Sequence, residues 1–241
     1  MRYIFLVVII LTIACKPKFT AQEIVDKSVS NSNLEKISNS EISFKFRSNH
    51  YIAKRNKGDY ELFRFITKDL VNYKDVLSNN GFKRYVSDSL VSLSKKDQDA
   101  YGNSVNSVHY FSILPYGLND PAAKKKVLEN VFIKGKEYYK IQVTFNEDGG
   151  GDDFDDIFIY WFSKESFKLD YLAYKYHTNG GGIRFRDVKK ENIVNGIRFA
   201  DYNNYKPIDK SIDFYAIDKL YEEGKLKKLS EIVLDNIEIK Y

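Results

Sequence analysis

Tyr139 Lys140 Ile141 Gln142 Val143 Thr144 Phe145 alternates apolar and polar residues without a break, the period of a strand with one face against a core. Lys134 Gly135 Lys136 stands just before it and a β-rich run, Val127 to Ile133, before that, so the segment predicts an antiparallel hairpin. Downstream, Phe154 to Phe162, Phe167 to His177, Ile183 to Val188 and Ile197 to Tyr205 follow at short spacing with turn residues between, which extends the hairpin into a meander. Two of these strands do not alternate cleanly. Phe158, Tyr160 and Phe162 lie on one face while Ile157, Ile159 and Trp161 lie on the other, and Phe167 to Tyr176 is apolar or aromatic on both. A sheet wet on one side alternates better than this, so both faces are expected to be covered. A filled aromatic core and an aromatic-lined cavity are both open on that evidence.

Upstream the same period appears at Ile42, Phe44 and Phe46, and again at Tyr60, Leu62 and Arg64. Val71 to Leu93 reads as short strands broken at Asn79 Asn80 Gly81. Helical signals are few. Thr20 with Glu23 three residues on forms a capping box for a helix carrying Ile24, Val25 and Val29, and Ser94 caps a second helix that runs to about Leu114, before Pro115. A short helix is expected over Phe214 to Glu223, with Gly224 as its C-cap and a final strand from Ser230 to Tyr241. Together these give an α+β chain, mainly antiparallel, with two or three helices.

The N-terminus has a different character. Arg2 precedes the apolar run Ile4 to Leu11, and Thr12, Ile13 and Ala14 lead to Cys15. This has the form of a secretory leader and is too short to span a bilayer. A lone cysteine after a small residue resembles a lipoprotein processing site, at which Cys15 is acylated and becomes the mature N-terminus; an ordinary leader with a chance cysteine is the alternative. The expected layout is a signal peptide over 1–14, a tether over 15–19 and one domain over 20–241. Two or three acyl chains at ~0.8 kcal/mol per buried methylene hold a protein stably to a membrane. No acidic run follows Cys15, only Lys16, Pro17 and Lys18, so the expected position is the periplasm-facing outer membrane.

Composition excludes several functions. Thirty-eight Lys and Arg against 33 Asp and Glu give a net charge of +5 over 241 residues, spread along the chain with no basic stripe, so no nucleic-acid partner is expected. One cysteine and three histidines leave neither a disulfide framework nor a zinc-ligand cluster. No G-x-S-x-G, H-E-x-x-H, P-loop or G-x-G-x-x-G pattern occurs, so a non-catalytic protein without a cofactor is expected.

Glu147 Asp148 Gly149 Gly150 Gly151 Asp152, Ile157 to Trp161, Asp170 to Tyr174, Asn179 Gly180 Gly181 Gly182 with Arg184 Phe185 Arg186, and Gly196 to Phe199 with Asp201 Tyr202 together resemble an uncharacterised lipoprotein family of Bacteroidetes. That family is similar in architecture to the periplasmic lipoprotein carriers of the LolA and LolB kind. The resemblance implies an incomplete antiparallel β-barrel, a curved sheet wrapped around two or three helices, with a lipid-like ligand in its concave face. It supplies no catalytic residue.

Three features are candidates for binding. Arg184 and Arg186 share one face of a strand opposite Ile183 and Phe185, with Arg198 on the next strand. These guanidiniums suit an anionic head group or an internal carboxylate such as Asp170 or Asp201, the internal pair being the simpler expectation. Tyr174, His177 and Trp161 on the aromatic strands complete the candidate ligand-contacting set. The acidic turn makes Asp148, Asp152 and Asp153 a calcium candidate, although a solvated hairpin tip is the simpler reading. The glycines at 180–182 fit a tight turn or bulge as well as a close approach to a phosphate or sugar. The function expected is an envelope protein tethered through Cys15 that binds an apolar or amphipathic ligand. A scaffold subunit without a cavity, with an unknown protein partner, and an envelope lipid or glycan hydrolase are the alternatives.

Overall fold

The structure is a computed structural model that describes residues 19–146, 155–209 and 211–241. The chain opens with α1, Ala21–Asn31, whose capping box forms as the spacing requires: Glu23 N donates to Thr20 Oγ1 at 3.2 Å and Thr20 N donates to Glu23 Oε2 at 2.7 Å. A short 3-10 turn over Leu34–Ser38 then leads into a first antiparallel sheet.

That sheet is built from β1 (Asn39–Phe46), β2 (Asn49–Asn56), β3 (Asp59–Lys68), β4 (Val71–Ser78), β5 (Gly81–Val86) and β6 (Ser89–Val91) in sequence order. β2 is a strand the sequence reading did not pick out. Its inner face carries Tyr51, Ala53 and Arg55 and its outer face His50, Ile52 and Lys54, so neither face is consistently apolar. α2, Lys95–Ser112, follows, and a 3-10 turn over Tyr116–Asn119 carries the chain to the second sheet.

The second sheet takes β7 (Ala123–Val127), β8 (Val131–Ile133), β9 (Lys136–Phe145), β10 (Ile157–Ser163), β11 (Leu169–Tyr176), β12 (Gly182–Val194), β13 (Ile197–Pro207) and β14 (Leu226–Ile232). The run from 127 to 133, expected as one strand, holds only the last residue of β7 and the three residues of β8, with 128–130 between them outside any strand, and both strands pair with β9. The β8–β9 turn uses Lys134 and Gly135 at φ +50° and +76°, the primed geometry that matches strand twist. Between β13 and β14 lie a 3-10 turn over Phe214–Ala216 and α3, Ile217–Glu222. The expected final strand also divides in two. After β14, residues 233–234 cross to the first sheet, where β15 (Asp235–Lys240) pairs with β1.

The architecture is α+β, with antiparallel sheets that do not close into a barrel. α1 fills the inner side: Ile24, Val25 and Val29 pack with Ile42 and Phe44 of the first sheet and with Ile141, Val143, Tyr160 and Phe162 of the second. The outer face of the second sheet is covered as well, since Ile159, Trp161, Ala173 and Phe185 pack under Phe214 and Ile217. That cover explains why β10 and β11 are apolar on both faces. It also places α3 outside the sheet, so α1 and α2 are the helices the sheets enclose.

Candidate functional site

α2 has two working faces. One lies on the first sheet, where a Cβ at Gly102 would stand 3.6 Å from Leu77 Cδ1 and from Phe82 Cβ, and Val105 is wholly buried. An ionic clamp fixes this contact: Arg64 donates to Asp75 Oδ2 through Nε at 2.9 Å and Nη2 at 2.7 Å, and to Ser104 Oγ on the helix at 2.7 Å. Arg84 donates to Asp75 Oδ1 at 2.6 Å and stacks 3.6 Å from the Tyr101 ring. This hydrogen-bonded carboxylate holds the Arg84 pKa above its ordinary value.

The other face of α2 presents Asn103, Ser107, Val108 and Phe111, at helical spacing, to a cavity of about 1210 Å³. Its opposite wall is the inner face of the second sheet. Strand register sets that inner face in rows, Phe158, Tyr174 and Arg184 in one, and Tyr160, Leu172, Arg186, Asn204 and Ser230 in the next, where Tyr160 and Leu172 belong to the packed core and the others line the cavity. Tyr202, Ile232 and Leu234 extend it, and Phe46 and Arg47 close it on the first-sheet side.

In this space, lined by aromatic, aliphatic and polar side chains, Arg186 is 8% exposed. Its Nη2 donates to Tyr174 Oη at 2.9 Å and its guanidinium lies 4.2 Å from the Phe111 ring centre. Its Nε has no partner, and no carboxylate lies within 4.0 Å of it among the described residues. Arg184 stacks on Tyr176 at 5.2 Å and donates to Ile183 O. Beside Arg186, Asn204 donates through Nδ2 to Ser230 Oγ at 3.2 Å, and its buried Oδ1 is unpaired.

The remaining sequence candidates separate. Arg198 does not line the cavity; its Nε donates to Glu191 at 2.8 Å, its Nη2 to Leu169 O at 3.0 Å, and Asp170 stands 3.8 Å away. Burial raises the Asp170 pKa against the Arg198 charge, whereas Glu191 is lowered by its hydrogen bonds from Lys168 and Arg198, which outweigh its own desolvation. Asp201 is no partner for the row either, because its Oδ1 accepts from Leu234 N at 3.0 Å. Trp161 is wholly buried under α3, donating to Asp218 at 3.4 Å, and Lys140 reaches the same carboxylate at 3.0 Å. Internal pairing therefore describes Arg198 and fails for Arg184 and Arg186.

His177 lies at the rim, its Nδ1 3.5 Å from both Asp155 and Asp156, and its backbone N donates to Asp156 at 3.1 Å. These three residues form a ligand-like cluster, but two of them are largely exposed, and among the described residues no further group points to an ion. Asp148, Asp152 and Asp153 lie outside the described residues, as does Cys15. The sequence reading missed Phe111, Asn204 and Ser230. The small polar residues at 103 and 107, one turn apart on α2, were the available signal, since a helix that packs on both sides yet keeps Asn and Ser on one of them faces something other than packed core.

A model of a family of unknown function, DUF6503, matches residues 1–234. The chain is a DUF6503 protein. No curated protein matches it. In fold the DUF6503 chain is similar to a DUF1329 family protein from Desulfovibrio piger, at 10% identity and a TM-score of 0.53 over 93% of this chain and 94% of that one. It is also similar to a LolA superfamily protein from Nitrosomonas europaea, at 12% identity and 0.47 over 93% of each. A putative outer membrane lipoprotein-sorting protein domain from Vibrio parahaemolyticus aligns at 7% identity and 0.45, over 90% of this chain and 93% of that one. Likeness at such identity describes architecture and assigns the DUF6503 chain no ligand.

Proposed function

We propose that this protein is a non-catalytic lipid-binding protein of the cell envelope, tethered through acylated Cys15 and facing the periplasm from the outer membrane, with an apolar or amphipathic ligand held between α2 and the second sheet. The cavity carries this reading. At about 1210 Å³ it exceeds the ~300 to 1,000 Å³ of sites that take drug-sized molecules. Its lining joins Phe111, Phe158, Tyr174, Tyr202, Ile232 and Leu234 with polar and charged side chains from α2 and the sheet, a mixture suited to an amphipathic molecule with an apolar body. The leader over 1–14, directly before Cys15, supports the compartment, and among the described residues no helix is long and apolar enough to cross a membrane.

The positions of the histidines favour binding over hydrolysis. His109 is buried against the first sheet, with Nε2 on Phe63 O at 3.0 Å, and His50 stacks on Phe65. His177 faces carboxylates, not a hydroxyl. Organic extraction of the full chain, purified from its native envelope, followed by mass spectrometry tests the proposal; acyl groups on Cys15 stay attached during extraction. Stoichiometric free lipid is expected. Protein that yields none, and that takes up none when mixed with envelope lipid extract, would return the reading to a scaffold subunit.

A further inference from the structure

We infer that the cavity selects lipid acids, seating one anionic oxyacid head group, a carboxylate or phosphate ester, on Arg186 with the alkyl body along the aromatic wall. This rests on the lipid-binding reading above and names the ligand class within it. The argument begins with the buried cations. Among the described residues, Arg64, Lys140 and Arg198 are each within 3.0 Å of a carboxylate oxygen, on Asp75, Asp218 and Glu191. Arg186, equally buried, has a tyrosine hydroxyl and an aromatic face instead, and its Nε is left over. A buried charge needs a counter-charge, and a planar guanidinium with a spare N–H is shaped for a two-oxygen anion. Arg55 also lacks a carboxylate, yet it lies outside the cavity and its pKa is depressed to about 10 by burial.

The surroundings point the same way. Arg184, two residues along on the same face, adds a second positive charge. The two acids of the lining are engaged: Asp99 with Lys95 at 2.5 Å, and Asp156 with the His177 backbone N. Asn204, next to Arg186 across the strands, leaves its buried Oδ1 unpaired, an acceptor suited to a hydroxyl of the ligand and not to the anion itself, which falls to Arg186. On the sheet wall Arg186, Arg184 and Asn204 are neighbours beside Phe158, Tyr174 and Tyr202, while Lys96, Asn103 and Ser107 line the helix side, so the sheet wall pairs a buried cation with apolar surface, as expected where a site orients an amphipathic molecule by its head.

The test uses the full chain in neutral maltoside, with photoactivatable palmitic acid and, in parallel, photoactivatable hexadecanol of the same length. Wild type is expected to label with the acid at least about tenfold more than with the alcohol, the factor that one charge-assisted hydrogen bond provides, and Arg186→Met is expected to bring the acid down to the alcohol's level. Equal labelling of wild type by both probes overturns the lipid-acid inference and leaves the lipid-binding proposal standing. No labelling by either sinks both. Displacement of the acid probe by acetate or inorganic phosphate alone would mean a site for a free anion, which also overturns it. Because Arg186→Met can fail by unfolding, wild type is also mapped with the diazirine placed beside the carboxyl group: adducts on the β11 to β13 peptides around Tyr174 and Asn204 are expected, and adducts confined to other segments contradict the seat on Arg186.

Discussion

Asp75, wholly buried on β4, holds together two guanidiniums and, through Arg64, the Ser104 hydroxyl of α2. Replacing it by Asn removes the counter-charge from both Arg64 and Arg84, and breaking a buried pair of this kind costs about 3 to 5 kcal/mol. Urea denaturation of Asp75→Asn is expected to show a loss of that size, and a change under about 1 kcal/mol would mean the clamp is solvated. His109 answers to pH instead. Burial, aided by Arg55 and Arg64, pulls its pKa from 6.5 to about 3 against the Phe63 carbonyl hydrogen bond. The folded value lies below the unfolded one, so the unfolded chain takes up the proton first; the His109 contribution is complete above pH 6.5 and declines as pH falls toward 3, with a limiting slope of about 1.4 kcal/mol per pH unit. Denaturation series between pH 6.5 and 4.5, above the range in which the lowered carboxyl of Glu231 titrates, are expected to slope for wild type and to flatten for His109→Gln. Arg64 was legible in the sequence as one position of an alternating strand, though not which face turned inward. Its partner was not, because Asp75 lies eleven residues away on a strand whose register only the fold defines.

At the scale of elements, the packing of α2 makes a clear forecast. A Cβ at Gly102 meets its neighbours at 3.6 Å, ordinary van der Waals contact, and glycine in a helix interior costs roughly 0.5 to 1 kcal/mol relative to alanine. Gly102→Ala is therefore expected to raise the thermal midpoint by a few degrees; a lowered midpoint would show that the helix needs a still closer approach to Phe82. The α1 capping box and the β8–β9 hairpin were legible because each is a local pattern. β14 and β15 merged in the sequence reading because Glu231 Ile232 Val233 Leu234 Asp235 contains no Gly or Pro to mark a break. What turns the chain there is the Asp201 carboxylate receiving Leu234 N, a contact from thirty-three residues away. The same limit applies to the cavity: the arginine row was visible on its strand, but the helix face opposite it became a wall only through folding.

For the molecule as a whole, placement depends on Cys15. Cys15→Ser is expected to abolish incorporation of labelled fatty acid and to release the protein from the membrane fraction or leave it unprocessed; a variant that still incorporates label would refute acylation at this residue. Protease treatment of intact cells is expected to spare the wild-type protein. Alternation, turn chemistry and two-sided aromatic strands made the antiparallel strands and their covered faces readable, while the open curved sheet around helices came from the family resemblance. That α3 covers the outside and not the inside was not readable, because its six residues could serve either face. One arrangement has a mechanical corollary. α2 is clamped to the first sheet, while the wall bearing Arg186 belongs to the second, and the backbone passes between the sheets over 113–122 and again at 233–234. The width of the cavity is thus set by how far apart the two sheets stand, and α1, wedged between them by Ile24, Val25 and Val29, acts as the spacer that sets it.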